Sequence, residues 1–190
     1  MQDPVARLES WLDEARSAGL REPEAMTLAT ASLAGKPSAR AVLLKRLDAS
    51  GLSFVTNYES RKAVEIEQNP LAALLFYWDA LLRQVRVEGA VVRAGAAESD
   101  ALHARRARES QLGAWASPQS RVVADHEVLE RAVEAQRRRF PDGVPRPPFW
   151  GAYRLEPQTF EFWEARPHRL HRRERYRRDG TGWRRDLLAP

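Results

Sequence analysis

Two short segments combine basic and polar residues in a way that could bind an anionic ligand. The first, Ser60-Arg61-Lys62, stands at the predicted start of a short helix. A helix start offers unpaired backbone N–H groups, and two cations beside them would complete a phosphate site. The same pattern also fits an ordinary solvated helix start capped by Ser60.

The second segment, residues 168–173, lies near the C-terminus. If it is a strand, Arg169, His171 and Arg173 share one face and Arg172 lies on the other. Two guanidinium groups and an imidazole on one face suit an anionic or planar ligand. The alternative is an exposed basic edge strand in an arginine-rich protein.

Other familiar kinds of catalytic chemistry have no sequence signal. The chain has no cysteine, which excludes disulfides, thiolate metal sites and cysteine nucleophiles. It also lacks glycine-rich nucleotide motifs, a nucleophile elbow and a His-Glu-x-x-His motif. His168 and His171, three apart on a strand, would face opposite sides, so we predict no metal site.

The composition is that of a cytoplasmic globular protein. With 190 residues, 43% apolar and 30% charged, the chain fits a single domain over 1–190. The N-terminal segment is charged and amphipathic, unlike a signal peptide, and no apolar run is long enough to span a bilayer. The net charge of +5 suits nucleic acid or small phosphates equally.

Hydrophobic periodicity predicts an α+β fold built on an antiparallel barrel. We expect an N-terminal helix from Asp3 to Gly19, with Asp3 as cap and Pro4 at its first position. Strands are predicted at 26–32, 38–47, 51–57, 71–78 (fully buried) and 84–93, with the short helix after Ser60 ending at Asn69-Pro70. Two helical pieces between 96 and 140 flank an aperiodic stretch, 110–121. A loop at 141–148 then leads into a β-meander with turns at Glu156-Pro157, Ala165–Pro167 and Asp179–Gly182.

Several strings occur in the order found in pyridoxamine 5′-phosphate oxidases, and the chain resembles that family from Asp3 to Pro190. They are Arg40-Ala41-Val42-Leu43-Leu44-Lys45, Ser60-Arg61-Lys62, Arg83-Gln84-Val85, Ser110-Gln111-Leu112-Gly113-Ala114-Trp115, Gln119-Ser120, and Glu161-Phe162-Trp163 followed by Arg169-Leu170-His171. The ending, Leu187-Leu188-Ala189-Pro190, is also similar to that family's C-terminus.

The resemblance implies an FMN-binding split β-barrel of Greek-key type with flanking helices, forming a homodimer with FMN at the interface. It implies oxidation of pyridoxamine or pyridoxine 5′-phosphate by O2, with no nucleic-acid or membrane partner. The implied FMN residues are Arg40, Ala41, Val42, Leu43, Leu44, Lys45, Val55, Thr56, Arg61, Lys62, Gln84, Gln119, Ser120, Trp163 and Arg173. The implied substrate residues are Lys45, Leu102, Arg106, Ser110, Arg169, Leu170 and His171, with Arg169 and His171 as the catalytic pair.

Four departures from the family pattern bear on this assignment unequally. Leu102 and Val55 stand where tyrosines are usual, and Arg172 stands where an aspartate is common. From the resemblance we also expect that the N-terminal arm, which closes over the site in some relatives, is missing before Asp3. Only Leu102 and the arm would affect the substrate directly.

Three alternative functions remain compatible with the sequence. One is an oxidase of the same fold that acts on another ring, as in phenazine pathways. Another is a split-barrel protein that binds flavin without catalysis. The third is an arginine-rich nucleic-acid-binding module, which would purify colourless and bind in a salt-dependent way.

Overall fold

The computed structural model describes residues 3–190, which form helices around one curled antiparallel sheet. The helices of this part are α1 (Pro4–Ser17), α2 (Arg61–Gln68), α3 (Ala96–Ala104), α4 (Arg108–Ala116) and α5 (Glu127–Arg139). The strands are β1 (Ala25–Ala31), β2 (Pro37–Leu43), β3 (Arg46–Asp48), β4 (Gly51–Asn57), β5 (Leu71–Trp78), β6 (Arg83–Arg93), β7 (Trp150–Glu164), β8 (Arg172–Asp179) and β9 (Gly182–Leu188). Asp79–Leu81 and Pro167–Arg169 form short 3-10 turns. The α+β prediction is confirmed.

The sheet curls into a barrel because its two edges are neighbours in the chain. The strand order is β2-β1-β5-β6-β7-β4-β3, with β8 and β9 continuing as a hairpin from β7. Only Leu44 and Lys45 separate β2 from β3, so the strands at the two ends of the path are drawn together. Lys45 N donates to Ser53 O at 2.8 Å, which ties this junction to β4.

Alternating side chains of the barrel strands meet α1 in a single core. Leu74 and Phe76 of β5 and Val85 of β6 are fully buried. Trp11 of α1 lies edge-on to Phe162 of β7, with ring centroids 5.1 Å apart. Burying side chains of this size contributes about 1.5–3 kcal/mol each. The helix begins as predicted, since Val5 N donates to Asp3 Oδ1 at 3.0 Å and Pro4 occupies the first turn.

The prediction that residues 71–78 are buried on both faces is wrong for the single chain. Leu74, Phe76 and Trp78 are buried, but Leu71 is 59% exposed and Tyr77 is 55% exposed. Because β5 lies between β1 and β6, one face packs on the core and the other points outward. The outer face is therefore available to a second protein surface.

Three other sequence predictions need correction. Residues 38–47 form two strands, because the chain bends at Leu44-Lys45. The stretch 110–121 is not wholly irregular, since α4 covers its first part. Glu156-Pro157 is not a turn: β7 runs through it, and a bulge opposite Gly89 of β6 absorbs the proline, which cannot donate a hydrogen bond to the ladder.

No helix in the described part of the chain is long and apolar enough to cross a membrane.

The bulge generates a test of the fold. A Cβ added to Gly89 would lie 2.0 Å from the backbone O of Glu156, so two strands must separate. We expect Gly89→Ala to lower the free energy of unfolding by about 1–3 kcal/mol, as overpacking does. Urea denaturation measures this. Gly113→Ala is the control, because its Cβ meets nothing within 4 Å and alanine favours the helix. Equal stability of the two variants would contradict the bulge geometry.

Candidate functional site

A cavity of about 410 Å³ opens where the barrel junction faces the helices. It lies between the end of β2, the middle of β4, the start of α2 and the α3–α4 junction. Its lining is Ala41, Val42, Leu43, Lys45, Val55, Thr56, Lys62, Arg106, Ala107, Ser110 and Gln119. Three cations thus converge on one small space, and we call it the basic cavity.

Lys62 has only neutral hydrogen-bond partners. Its Nζ donates to Thr56 Oγ1 at 3.1 Å, Ser60 Oγ at 3.2 Å and Gln119 Oε1 at 3.0 Å. Burial, and secondarily the charge of Arg40, lowers the pKa of Lys62 to about 8. A half-buried ammonium without a counter-ion is costly to keep charged, and an anionic ligand would relieve that cost.

Arg106, which also lines the cavity, shows the same shortage of hydrogen-bond partners. Its Nη1 is buried and has no hydrogen-bond partner among the described residues. The guanidinium lies over Trp150, 4.8 Å from the ring centroid, and burial lowers the pKa of Arg106. Ser110, in the first turn of α4, lines the cavity beside it. An orphaned guanidinium N–H next to a hydroxyl fits the oxygens of a phosphate group.

The start of α2 is capped from a distant loop. Ser60 occupies the N-cap position as predicted, but its side chain makes no capping bond and instead accepts from Lys62. Ser120 Oγ accepts from Arg61 N at 3.2 Å. Ser120 has φ 70°, a left-handed conformation that is costly for serine. The loop after α4 is therefore held against the helix start.

Arg40 and Arg61 do not line the basic cavity but lie behind it. Both bond the buried carboxylate of Glu65, Arg61 through Nε at 2.8 Å and Arg40 through Nη2 at 3.4 Å. Glu65 was missed by sequence reasoning, although its position four residues after Arg61 is the spacing of a helical ion pair. Leu44 points the other way, into the core.

A second group of predicted residues lies across three strands of the sheet. Gln84 of β6 pairs with Trp163 of β7, which pairs with Arg173 of β8, so the three side chains share one face. The His171 ring packs 4.7 Å from the Trp163 ring. These four residues, the tail cluster, do not line the basic cavity.

The predicted tail strand over residues 168–173 is wrong in its first half. β8 begins at Arg172, and the residues before it form the 3-10 turn after Pro167. His168 and Arg169 have φ 57° and 63°, so alternation of side chains does not apply there. Arg169 therefore shares no strand face with Arg173. His171 still belongs to the tail cluster, because its ring packs on Trp163. Leu170 is 69% exposed.

Leu102 is half-buried on α3 and does not line the basic cavity. The next residue, His103, is buried against Trp150 with ring centroids 5.3 Å apart. Burial, followed by the charges of Arg106 and Arg146, lowers the pKa of His103. Sequence reasoning also missed Trp150, whose ring packs against the Arg106 guanidinium. A single tryptophan forms no motif or periodic pattern that would indicate this role.

The fold and the cavity together define a class of protein: an antiparallel barrel with a basic cavity suited to a small phosphorylated ligand. Residues 12–139 match the family described as pyridoxamine 5′-phosphate oxidase, and residues 150–190 match the pyridoxine 5′-phosphate oxidase C-terminal dimerisation region. The chain belongs to the pyridoxamine 5′-phosphate oxidase family.

Individual proteins agree with this membership. The chain is 56% identical to a pyridoxine/pyridoxamine 5′-phosphate oxidase of Rubrobacter xylanophilus, over 99% of this chain and 87% of that one. It is 53% identical to the enzyme of the same name from Salinibacter ruber, over 99% and 89%.

Two solved structures share the fold. PhzG of Burkholderia lata, in complex with tetrahydrophenazine-1-carboxylic acid, has a TM-score of 0.94 at 37% identity, over 100% of this chain and 94% of that one. A pyridoxamine 5′-phosphate oxidase-related, FMN-binding protein of Nostoc punctiforme has a TM-score of 0.79 at 20% identity, with complete coverage of both chains. The predicted split-barrel fold is confirmed.

The charge of Lys62 generates a second prediction. Its folded-state pKa of about 8 lies below the ordinary 10.5, so its ionisation opposes folding. That opposition is complete below about pH 8 and fades as pH rises to about 10.5. We therefore expect ligand-free wild type to gain stability relative to Lys62→Met between about pH 7 and pH 9.5.

Urea midpoints at the two pH values measure this gain. Lys36→Met, in the exposed turn between β1 and β2, is the control and should show a smaller change. A wild-type-to-Lys62→Met difference that is the same at both pH values would contradict the buried, uncompensated ammonium.

Proposed function

We propose that this chain is an FMN-dependent oxidase that converts pyridoxine or pyridoxamine 5′-phosphate to pyridoxal 5′-phosphate and reduces O2 to H2O2. The observation that carries this proposal is the pair of uncompensated cations, Lys62 and Arg106, that line one cavity. Both proposed ligands carry a phosphate dianion, and each cation would serve one of them.

The residues around Lys62 would hold FMN. Thr56, Gln119 and Ser120 surround the start of α2, where backbone N–H groups and Lys62 are available to the FMN phosphate. Residues of β2 that line the cavity would give the flavin a wall of backbone and small or aliphatic side chains: the exposed Ala41 and Leu43 and the half-buried Val42. When bound, FMN would supply a hydride acceptor for the substrate and a route for two electrons to O2.

Arg106, Ser110 and Lys45 would bind the substrate phosphate. Arg106 is already oriented by its packing on Trp150, so little side-chain entropy is lost when it binds an anion. Lys45 follows the barrel bend directly and lines the same cavity. Leu102 offers no hydrogen-bonding group, and these three residues would carry the phosphate without it.

Arg169 and His171 would cover the substrate ring. His171 Nδ1 accepts from Arg166 N at 3.3 Å, which places the ring proton of neutral His171 on Nε2. Nε2 would then be the nitrogen that donates to the substrate, and packing on Trp163 would hold the ring in place. Arg169, in the strained turn, would orient the amine or alcohol that loses a proton.

The overall reactions balance with the proposed partners. Pyridoxine 5′-phosphate loses a hydride from C4′ and a proton from its alcohol, and O2 takes up both as H2O2. Pyridoxamine 5′-phosphate follows the same course to an imine, which one water molecule hydrolyses to the aldehyde and ammonia.

The chain carries a dimerisation region and forms a homodimer. That region, residues 150–190, includes Trp163, His171 and Arg173, which lie outside the basic cavity of their own chain. We propose that each FMN lies at the interface, between the basic cavity of one protomer and the tail cluster of its partner. The exposed outer face of β5 would add apolar area to that interface.

A second candidate function rests on the high structural similarity to PhzG. In that case the ring substrate would carry a carboxylate, which Arg106 could also bind. Turnover of tetrahydrophenazine-1-carboxylic acid without turnover of either vitamin B6 phosphate would favour this function.

The function is tested by isolating the cofactor and measuring product. We expect a yellow protein that releases FMN on denaturation and forms one H2O2 per aldehyde from at least one vitamin B6 phosphate. His171→Ala should keep FMN and lose at least about tenfold in kcat/KM, the scale of one lost hydrogen bond to a reacting group.

Arg172→Gln is the matched control for His171→Ala. Arg172, the first residue of β8, is half-exposed and pairs with Glu174 at 2.7 Å. It lies opposite Glu164 in the sheet, whereas Arg173 lies opposite Trp163. Its kcat/KM should match wild type. A colourless protein would contradict the function, and equal losses in both variants would contradict the role of His171.

The shared site is tested by complementation. Arg61→Ala with Lys62→Ala removes the FMN side, and His171→Ala removes the substrate side. If the two sides come from different protomers, a heterodimer of these inactive chains has one intact site. Refolding them together at equal concentration should then restore about one quarter of wild-type activity. No recovery in verified heterodimers would place both sides within one protomer.

A further inference from the structure

We propose that Glu65 is a positioning residue that sets the two arginines behind the FMN phosphate in place. This inference rests on the proposed FMN site. Glu65 does not line the basic cavity. It would act through Arg40 and Arg61, which would otherwise be free to take other rotamers.

Glu65 is bonded on both carboxylate oxygens. Oε2 accepts from Thr30 Oγ1 and Ser38 Oγ, each at 2.5 Å, and from Arg40 Nη2 at 3.4 Å. Oε1 accepts from Arg61 Nε at 2.8 Å. The side chain is only 8% exposed, so this arrangement is held within the protein and not by solvent.

The ionised form of Glu65 is strongly favoured. Burial by itself would raise the pKa of Glu65, but the hydrogen bonds from Ser38, Thr30 and Arg61 overcome it and lower the pKa to about 2. A fixed negative charge is therefore present at neutral pH.

Arg40 is oriented almost completely by this cluster. Its Nη1 donates to Leu28 O at 3.1 Å and Thr30 Oγ1 at 2.7 Å, and its Nη2 donates to Ser38 Oγ and Glu65 Oε2. Arg61, by contrast, is 54% exposed, and Glu65 is its carboxylate partner. Arg61 and Glu65 also line a groove with Ser120, the residue that caps the α2 start. Loss of Glu65 would therefore free Arg61 most.

The direction in which phosphate affinity changes when Glu65 is neutralised distinguishes a positioning role from simple charge repulsion. A carboxylate close to a phosphate repels it, so removing the charge without disturbing the arginines would tighten phosphate binding. If Glu65 positions the arginines, removing its charge weakens phosphate binding instead. The Gln amide adds an N–H donor that cannot accept from the guanidinium groups.

The experiment compares FMN with riboflavin, which lacks the phosphate. The full-length protein is stripped of flavin, and each ligand is titrated by quenching of flavin fluorescence. For Glu65→Gln we expect the preference for FMN over riboflavin to fall by about tenfold or more, since charge-assisted hydrogen bonds are affected. Riboflavin affinity should stay within about twofold of wild type, because its ring does not meet the arginines.

Glu67→Gln is the matched control, on the same helix and with the same change of charge. Glu67 bonds Tyr153 Oη at 2.5 Å and Arg93 Nε at 2.7 Å, well away from Arg40 and Arg61. Its FMN-to-riboflavin preference should equal that of wild type. In an Arg61→Ala background the Glu65→Gln effect should shrink, because the residue it acts through is gone.

Any other result contradicts the proposal, and the pattern of affinities shows which part of it is wrong. Tighter or unchanged FMN preference in Glu65→Gln shows that the carboxylate does not position the arginines. Equal losses for FMN and riboflavin show a structural role only. If Glu65→Gln does not fold, Glu65→Asp replaces it, and an unchanged preference there overturns the proposal. A wild type that does not prefer FMN to riboflavin overturns the phosphate site itself.

Discussion

The bend between β2 and β3 is the constraint on which the geometry of the site rests. At Leu44-Lys45 the chain leaves one edge of the sheet and joins the other, so the barrel closes. Leu44 turns into the core, and Lys45, tied to β4 through Ser53, lines the basic cavity. The same bend brings β2 beside the middle of β4, and these strands form two walls of the cavity. The bend that joins the two edges of the sheet therefore also shapes the site.

The charges of the site are divided between compensated and uncompensated cations. Arg40 and Arg61 are paired with Glu65 and are held in place before any ligand arrives. Lys62 and Arg106 keep neutral or missing partners, which costs stability in the ligand-free protein. That cost favours ligands that carry phosphate, because binding an anion removes it. Both groups of cations therefore favour phosphate binding. The paired arginines do so because they are already oriented, and the unpaired cations do so because an anion relieves their cost of burial.

The predicted site residues of one chain are divided between the basic cavity and the tail cluster, so one chain by itself does not bring them together. Gln84, Trp163 and Arg173 form a row across β6, β7 and β8, which are held in register by long antiparallel pairing. None of the three residues lines the basic cavity of its own chain. In the proposed homodimer, a two-fold axis would place the row of each protomer against the basic cavity of its partner. The apolar outer face of β5 is consistent with this arrangement.

The sequence by itself determined the features that depend on local pattern. The capped helix at Asp3-Pro4, the alternation of 84–93, the helix start at Ser60 and the ordered motifs of the family all follow from neighbouring residues. Tertiary structure decided what depends on distant partners. It bent 38–47 at Leu44, bulged β7 at Pro157 against Gly89, and placed Arg169 in a left-handed turn where a strand was predicted. It also joined Glu65 to Ser38 and Arg40, residues far away in the chain. Hydrophobic periodicity predicts which face of a helix or strand a residue occupies. Which of these faces pack against each other depends on how the sheet curls, and this involves residues distant in the chain.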